Sequence, residues 1–148
     1  MRAGRRLAFD FGTVRIGVAA SDVHGILASP LQTLAATDEE LSDKIAEIIS
    51  DVDPIYLVVG DPKHLSGRSS EKSDAALEFI DLLKTLTDLP IYSIDERLTT
   101  VSALKDLHSS GRNAKSSRNK VDAIAAVAIL ESALQQEKLS GRIHGLQE

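Results

Sequence analysis

Two apolar segments, Arg6–Phe11 and Arg15–Ala20, flank a short break at Gly12-Thr13-Val14. Short apolar runs joined by a glycine-containing turn predict a β-hairpin. A third strand is expected over Pro30–Leu34, after a turn at Gly25. Leu41, Ile45, Ile48 and Ile49 then recur at helical spacing, which predicts a helix capped by Thr37 or Asp38 and running to about Val52. Pro54 closes it. Ile55–Val59 is apolar throughout, the pattern of a strand covered on both faces, and Gly60-Asp61-Pro62 stops it. A second helix is expected from Glu71 to Thr85, with Ala75, Leu77 or Glu78, Phe79, Leu82 and Leu83 in rhythm, and a strand over Pro90–Ile94. Thr99 or Thr100 caps a further helix to about His108, and an alanine-rich helix spans about Arg118–Glu137. The polar stretches Lys63–Ser70 and Ser109–Ser117 read as loops, and the tail from about residue 139 as loose.

Three strands followed by alternating helices and strands imply an α/β fold, a mixed central sheet flanked by helices. The 148 residues fit one domain, without repeat or linker. Asp10 and Arg15 interrupt the first apolar stretch, so neither a signal peptide nor a membrane span is expected. The absence of cysteine rules out disulfides, thiolate metal sites and a cysteine nucleophile, and suits a cytoplasmic location. The net charge of −5 argues mildly against nucleic-acid binding, but segregated charge matters more than the sum. Aromatics at 3% disfavour single-strand binding by base stacking.

Candidate chemistry lies in carboxylates set among apolar residues. Asp10 stands where an apolar strand meets a turn, between Phe9 and Phe11, and a charge there needs a partner. Asp95-Glu96 ends the last predicted strand, and Asp122 interrupts the apolar last helix. Strand ends and helix starts converge at one edge of an α/β sheet, where such groups would ring one or two Mg²⁺ or Mn²⁺ ions. Two ions would activate a water and stabilise the leaving oxygen in phosphodiester hydrolysis. Each position also has a plainer reading: Asp10 satisfying turn N–H groups, and Asp95, Glu96 or Asp122 favoured by a helix dipole. Their joint occurrence favours the metal site.

Cations complete the pattern. Arg112, Lys115, Arg118 and Lys120 occur between Leu107 and Val121 with no acid among them, and Ser116 and Ser117 precede the last helix. Lys63 and Arg68 lie in the other loop, and Arg15 and Arg97 lie close in sequence to the acidic positions. Together these suit contact with a nucleic-acid backbone rather than its bases. The four histidines have no metal-ligand spacing.

Four separated motifs carry a family resemblance: Asp10-Phe-Gly12-Thr-Val-Arg15-Ile-Gly17-Val-Ala19, Val58-Val-Gly60-Asp-Pro62 followed by Ser66-Gly67, Asp95-Glu96-Arg97-Leu98-Thr99-Thr100, and Lys120-Val-Asp122-Ala-Ile-Ala-Ala. The chain closely resembles the YqgF family, the Holliday-junction-resolvase-like proteins also described as pre-16S rRNA nucleases. The resemblance implies a ribonuclease-H-like fold and a metal-dependent nuclease with Asp10, Glu96 and Asp122 as its acidic site. Asp95 is a less certain neighbour. The resemblance also implies a cytoplasmic part in maturing the 5′ end of 16S rRNA. Asp61 departs from the apolar residue usual in the family, and is either an added metal ligand or a solvated loop residue. Ala123 stands where a small polar residue is common, a harmless change.

Other readings stay open at this point. A resolvase acting on four-way DNA would favour a dimer; otherwise a monomer or weak homodimer is expected. Asp10-Phe-Gly-Thr13 is also similar to the first phosphate loop of actin-like and sugar-kinase ATPases, but those clasp ATP between two domains and this chain has room for one. A non-catalytic factor bound to ribosome or transcription components is the remaining reading.

Overall fold

Five strands and three helices carry the chain in the computed structural model, which describes residues 3–61, 71–95, 115–140 and 146–147, with a sixth, two-residue strand at the end. They are β1 (Leu7–Phe11), β2 (Arg15–Ser21), β3 (Ala28–Ala35), α1 (Leu41–Val52), β4 (Leu57–Asp61), α2 (Glu71–Leu86), β5 (Ile91–Asp95), α3 (Lys115–Ser140) and β6 (Leu146–Gln147). The sheet order is β3-β2-β1-β4-β5-β6. The β1–β2–β3 meander is antiparallel, β4 and β5 continue parallel to β1, and β6 returns antiparallel to β5. This is the mixed sheet expected from the sequence. The helix expected from Thr99 or Thr100 to His108 lies outside the described residues.

Strand alternation sorts the core into two layers. Leu7, Phe9, Ile16, Val18, Leu57, Val59 and Ile91 point to one face, against Ile45, Ile48 and Val52 of α1 and Phe79, Ile80 and Leu83 of α2. Phe79 meets Phe9 edge-on at 5.5 Å and stacks on Phe11 at 5.0 Å. Ala8, Ala19, Ala28, Val58 and Ile94 point to the other face, against Ala125, Ala126, Ile129, Leu130, Ala133 and Leu134 of α3. The second interface is built largely from alanine, so the helix backbone comes close to the sheet.

Several boundaries differ from the periodicity. Asp38 does not cap α1. Its carboxylate accepts the Glu40 N–H at 2.8 Å and pairs with Lys44, so a turn intervenes and the helix begins at Leu41. β4 and β5 end at Asp61 and Asp95, each beyond the apolar run that predicted it, because ladder pairing continues there as Gly60↔Ile94 and Asp61↔Asp95. Leu77 is exposed; Ala76, Phe79, Ile80 and Leu83 take the buried side of α2. α3 starts at Lys115, so Ser116 and Ser117 belong to its first turn rather than to a preceding loop. No Gly or Pro interrupts the chain between there and Ser140. Near the C-terminus, Leu146 and Gln147 pair with Ser93 and Tyr92, covering the backbone edge of β5.

One buried charge pair was not visible in the pattern. Arg6, fully buried before β1, donates from Nη2 to Oε2 of Glu137 on α3 at 2.9 Å, and from Nη1 to the Gly4 carbonyl. The Tyr56 hydroxyl donates to the other oxygen of Glu137 at 2.8 Å, and the guanidinium lies 5.7 Å from the Tyr56 ring centre. Burial, then the Glu137 carboxylate, pushes the Tyr56 phenol above its ordinary value. A phenol held protonated by the fold contributes stability that is present below the unfolded value of 10.0 and declines as pH rises past it. Urea midpoints should therefore fall above about pH 10 in the parent and fall less in Tyr56→Phe. Glu137→Ala strands the Arg6 charge and should cost about 3–5 kcal/mol in urea unfolding, whereas Arg6→Met with Glu137→Leu should cost far less. An unchanged urea midpoint for Glu137→Ala would rule the pair out.

Candidate active site

The spacing Asp10-x-Gly12-x-x-Arg15-x-Gly17 is explained by the β1–β2 hairpin. Asp10 lies near the C-terminal end of β1 on the same face as Ala8, and is 2% exposed. At Gly12 an added Cβ would lie 2.6 Å from the Arg15 carbonyl oxygen, so the chain can close this turn only without a side chain. The turn places Arg15, Gly17 and Ala19 on the α3 face of β2, and the register sets Gly17 opposite Asp10. A Cβ at Gly17 would sit 1.9 Å from the carbonyl oxygen of Asp122. The backbone of α3 therefore rests directly on β2 at this point. Through Gly17, Asp122 of the helix is brought over the strand pair that carries Asp10.

The charges follow that contact. Arg15 Nε–H donates to Oδ2 of Asp122 at 2.7 Å, with Arg15 about one-third exposed and Asp122 less so. α3 begins two turns upstream of Asp122, and the dipole acts within the first turn. The nearby positive charge is therefore the guanidinium rather than the helix end.

The other expected site residues divide into three groups. Asp95 ends β5 on the face of Ile91 and Ser93, opposite to that of Asp10, so the fold does not bring these two carboxylates together. Asp61 ends β4 as the register partner of Asp95. Lys115, Arg118 and Lys120 lie in the first two turns of α3, on the N-terminal side of Asp122. Glu96, Arg97, Lys63, Arg68 and Arg112 fall outside the described residues.

Among the described residues, no group of three or more His, Asp and Glu side chains gathers to hold a metal ion. What the site does offer is carboxylate oxygen, the donor that Mg²⁺ and Mn²⁺ prefer, at a position where Asp122 already engages a cation. Asp10 and Asp122 supply oxygen donors of the kind a hard divalent ion takes. Sequence reasoning expected Asp10 and Asp122 to share a site and set Arg15 near the acidic positions. It missed their joining through Gly17, although the pairing of Gly12 and Gly17 around Arg15 was the signal for it.

The sheet order and the helices that cover it are those of a ribonuclease-H-like fold. Thermus thermophilus RuvC bound to a Holliday junction substrate superposes with a TM-score of 0.60 over 95% of this chain and 98% of that one, at 13% identity. The chain belongs to the RuvX family, whose sequence model is described as Holliday junction resolvase and matches residues 4–136. A relative from Leifsonia xyli named "Putative pre-16S rRNA nuclease" is 45% identical over 98% of this chain and 94% of its own length. One of the same name from Streptomyces coelicolor is 40% identical over 98% and 88%.

Gly17→Ala tests the close approach. It should destabilise the protein by about 3 kcal/mol or more, since neither contacting backbone can retreat without moving α3. A thermal unfolding midpoint equal to the parent's would show that the helix does not rest there.

Proposed function

We propose that this protein is a metal-dependent endonuclease that hydrolyses phosphodiester bonds, with the 5′ precursor of 16S rRNA as its substrate. The observation that carries the reading is that Asp10 and Asp122 belong to the same face of the sheet, the backbone of Asp122 resting on Gly17, the register partner of Asp10. Asp10, Asp122 and Glu96 would hold Mg²⁺ or Mn²⁺, and Glu96 would otherwise orient the attacking water. Such an ion lowers the pKa of a bound water and offsets charge developing on the phosphate. Arg15 and Arg97 would steady the phosphate. Lys63, Arg68, Arg112, Lys115, Arg118 and Lys120 would follow the backbone without reading bases. RNA is favoured by the names of the relatives, and four-way DNA by the RuvC likeness and the family description. Asp61 and Asp95 are the further candidates for the metal, both the weaker because strand register sets them on the face away from Asp10. Among the described residues no helix is long and apolar enough to cross a membrane, and we place the activity in the cytoplasm.

The deciding experiment compares cleavage of an RNA carrying the 16S 5′ precursor with cleavage of a four-way DNA junction, in Mg²⁺ or Mn²⁺. RNA cutting that is lost in Asp10→Asn and in Asp122→Asn is expected, because an amide is a poorer ligand for a hard cation. Junction cutting alone would move the assignment to DNA. Cutting by both variants at the parent's rate would remove these carboxylates from the chemistry. Replacing Lys115 and Arg118 together should weaken RNA binding and flatten the slope of log affinity against log salt by roughly one to two. An unchanged slope would remove this end of α3 from the backbone path.

A further inference from the structure

We propose that Arg15 is the exchangeable counter-ion of Asp122: it occupies the carboxylate in the metal-free protein, a divalent cation displaces it, and the freed guanidinium then faces the substrate's phosphate. The inference rests on the metal-site reading above and adds to it the state that precedes metal binding. Its starting point is geometry. The pair is made through Nε alone, at 2.7 Å, and among the described residues neither Nη of Arg15 has a hydrogen-bonding partner. A guanidinium built as a fixed support would be expected to use its fork on the carboxylate, two parallel bonds rather than one. Here the half of the group best suited to a phosphate is left unengaged.

Position supports exchange as well. Gly17 seats the backbone of Asp122 on the hairpin that carries Asp10, and a partly buried carboxylate in that place favours a cation beside it. Arg15 supplies that cation while no metal is bound. The pair is open on one side, since about one-third of the arginine side chain reaches solvent. An incoming ion therefore needs no rearrangement of the fold. Arg15 follows a turn fixed at Gly12, so a long side chain can swing while its backbone stays in the β2 ladder. A dication on Asp122 repels a guanidinium on the same carboxylate, so the two occupants oppose each other.

The test is Mn²⁺ binding to the full chain without nucleic acid, followed by loss of the free ion's electron paramagnetic resonance signal. Arg15→Gln should bind Mn²⁺ about tenfold more tightly than the parent, since the competing charge is gone. Arg15→Lys, which keeps the charge, should stay nearer the parent. Loss of a merely structural support would move affinity the other way. In ¹H–¹⁵N spectra of the parent, the Arg15 Nε–H signal should shift when Mg²⁺ is added, and should not shift in Asp122→Asn. Arg15→Gln binding no more tightly than the parent, or an Nε–H signal indifferent to Mg²⁺, would overturn the exchange and leave Arg15 a fixed support. Mn²⁺ binding as tight in Asp10→Asn and Asp122→Asn as in the parent would instead sink the metal site itself, and the exchange with it.

Discussion

The contact between the α3 backbone and Gly17 is the constraint from which the rest of the site follows. The two faces of the sheet are covered by different means. Against α1 and α2 the interface is made of Leu, Ile, Val and Phe, whose bulk fixes the helices at a distance. Against α3 it is made largely of alanine, on the strands at Ala8, Ala19 and Ala28 and on the helix at Ala125, Ala126 and Ala133. Small residues bury less apolar area per side chain, but they allow close approach, and Gly17 is where that approach reaches backbone contact. A bulkier interface would bury more and lift Asp122 away from the strand that holds Asp10. The chain gives up some hydrophobic contact on this face, and the result is that the backbone of Asp122 rests on the hairpin that carries Asp10.

Ion pairs anchor α3 near both of its ends, and the two differ in kind. Glu137 and Asp122 are separated by about 22 Å of helix at the ordinary rise per residue. At one end Arg6 and Glu137 are sealed from water, with Tyr56 satisfying the second carboxylate oxygen. A buried pair of this sort gains little over apolar residues of the same volume. What it forbids is sliding, because any shift of α3 would strand a charge in the core. At the other end Arg15 and Asp122 are partly open to solvent, where a pair adds little stability and is readily exchanged. The sealed pair therefore fixes the helix register, and the open pair inherits a position without having to hold it. On the proposed reading, that division lets Asp122 change partners while the helix stays still.

Much of the architecture was legible because sheet and helix periods are strong in this chain. The hairpin, the apolar β4 and the buried face of α1 follow from side-chain spacing. Boundaries were less legible: Asp38 suits a cap by residue type yet engages the Glu40 N–H and Lys44 in a preceding turn, and Ser116 and Ser117, read as preceding the last helix, lie in its first turn. Asp10 and Asp122 stood out as carboxylates in apolar settings. Asp95 stood out for the same reason, but strand alternation sets it with Ile91 and Ser93, on the face away from Asp10. That parity was present in the sequence and was outweighed by the simpler observation that strand ends converge. Arg6 and Glu137 were illegible for a different reason. Their partnership spans 131 positions, and each alone looks like an ordinary surface charge beside an apolar run.

The acidic balance of the chain also takes on a different meaning once the site is in place. A net charge of −5 counts carboxylates as if they met a polyanion bare. On the proposed reading, those nearest the scissile phosphate are covered by divalent ions, and each ion bound removes two units of negative charge at that spot. Exchange at Asp122 adds a further local change, since Arg15 ceases to neutralise protein and becomes available to neutralise substrate. The potential met by a nucleic-acid backbone is then set by the occupied site and the cations on the first turns of α3, not by the sum over the sequence. Screening limits the remaining acids to about 8 Å at physiological ionic strength, so those on the far faces of the domain contribute little. An acidic protein can in this way present a cationic site, provided that its metal arrives before its substrate.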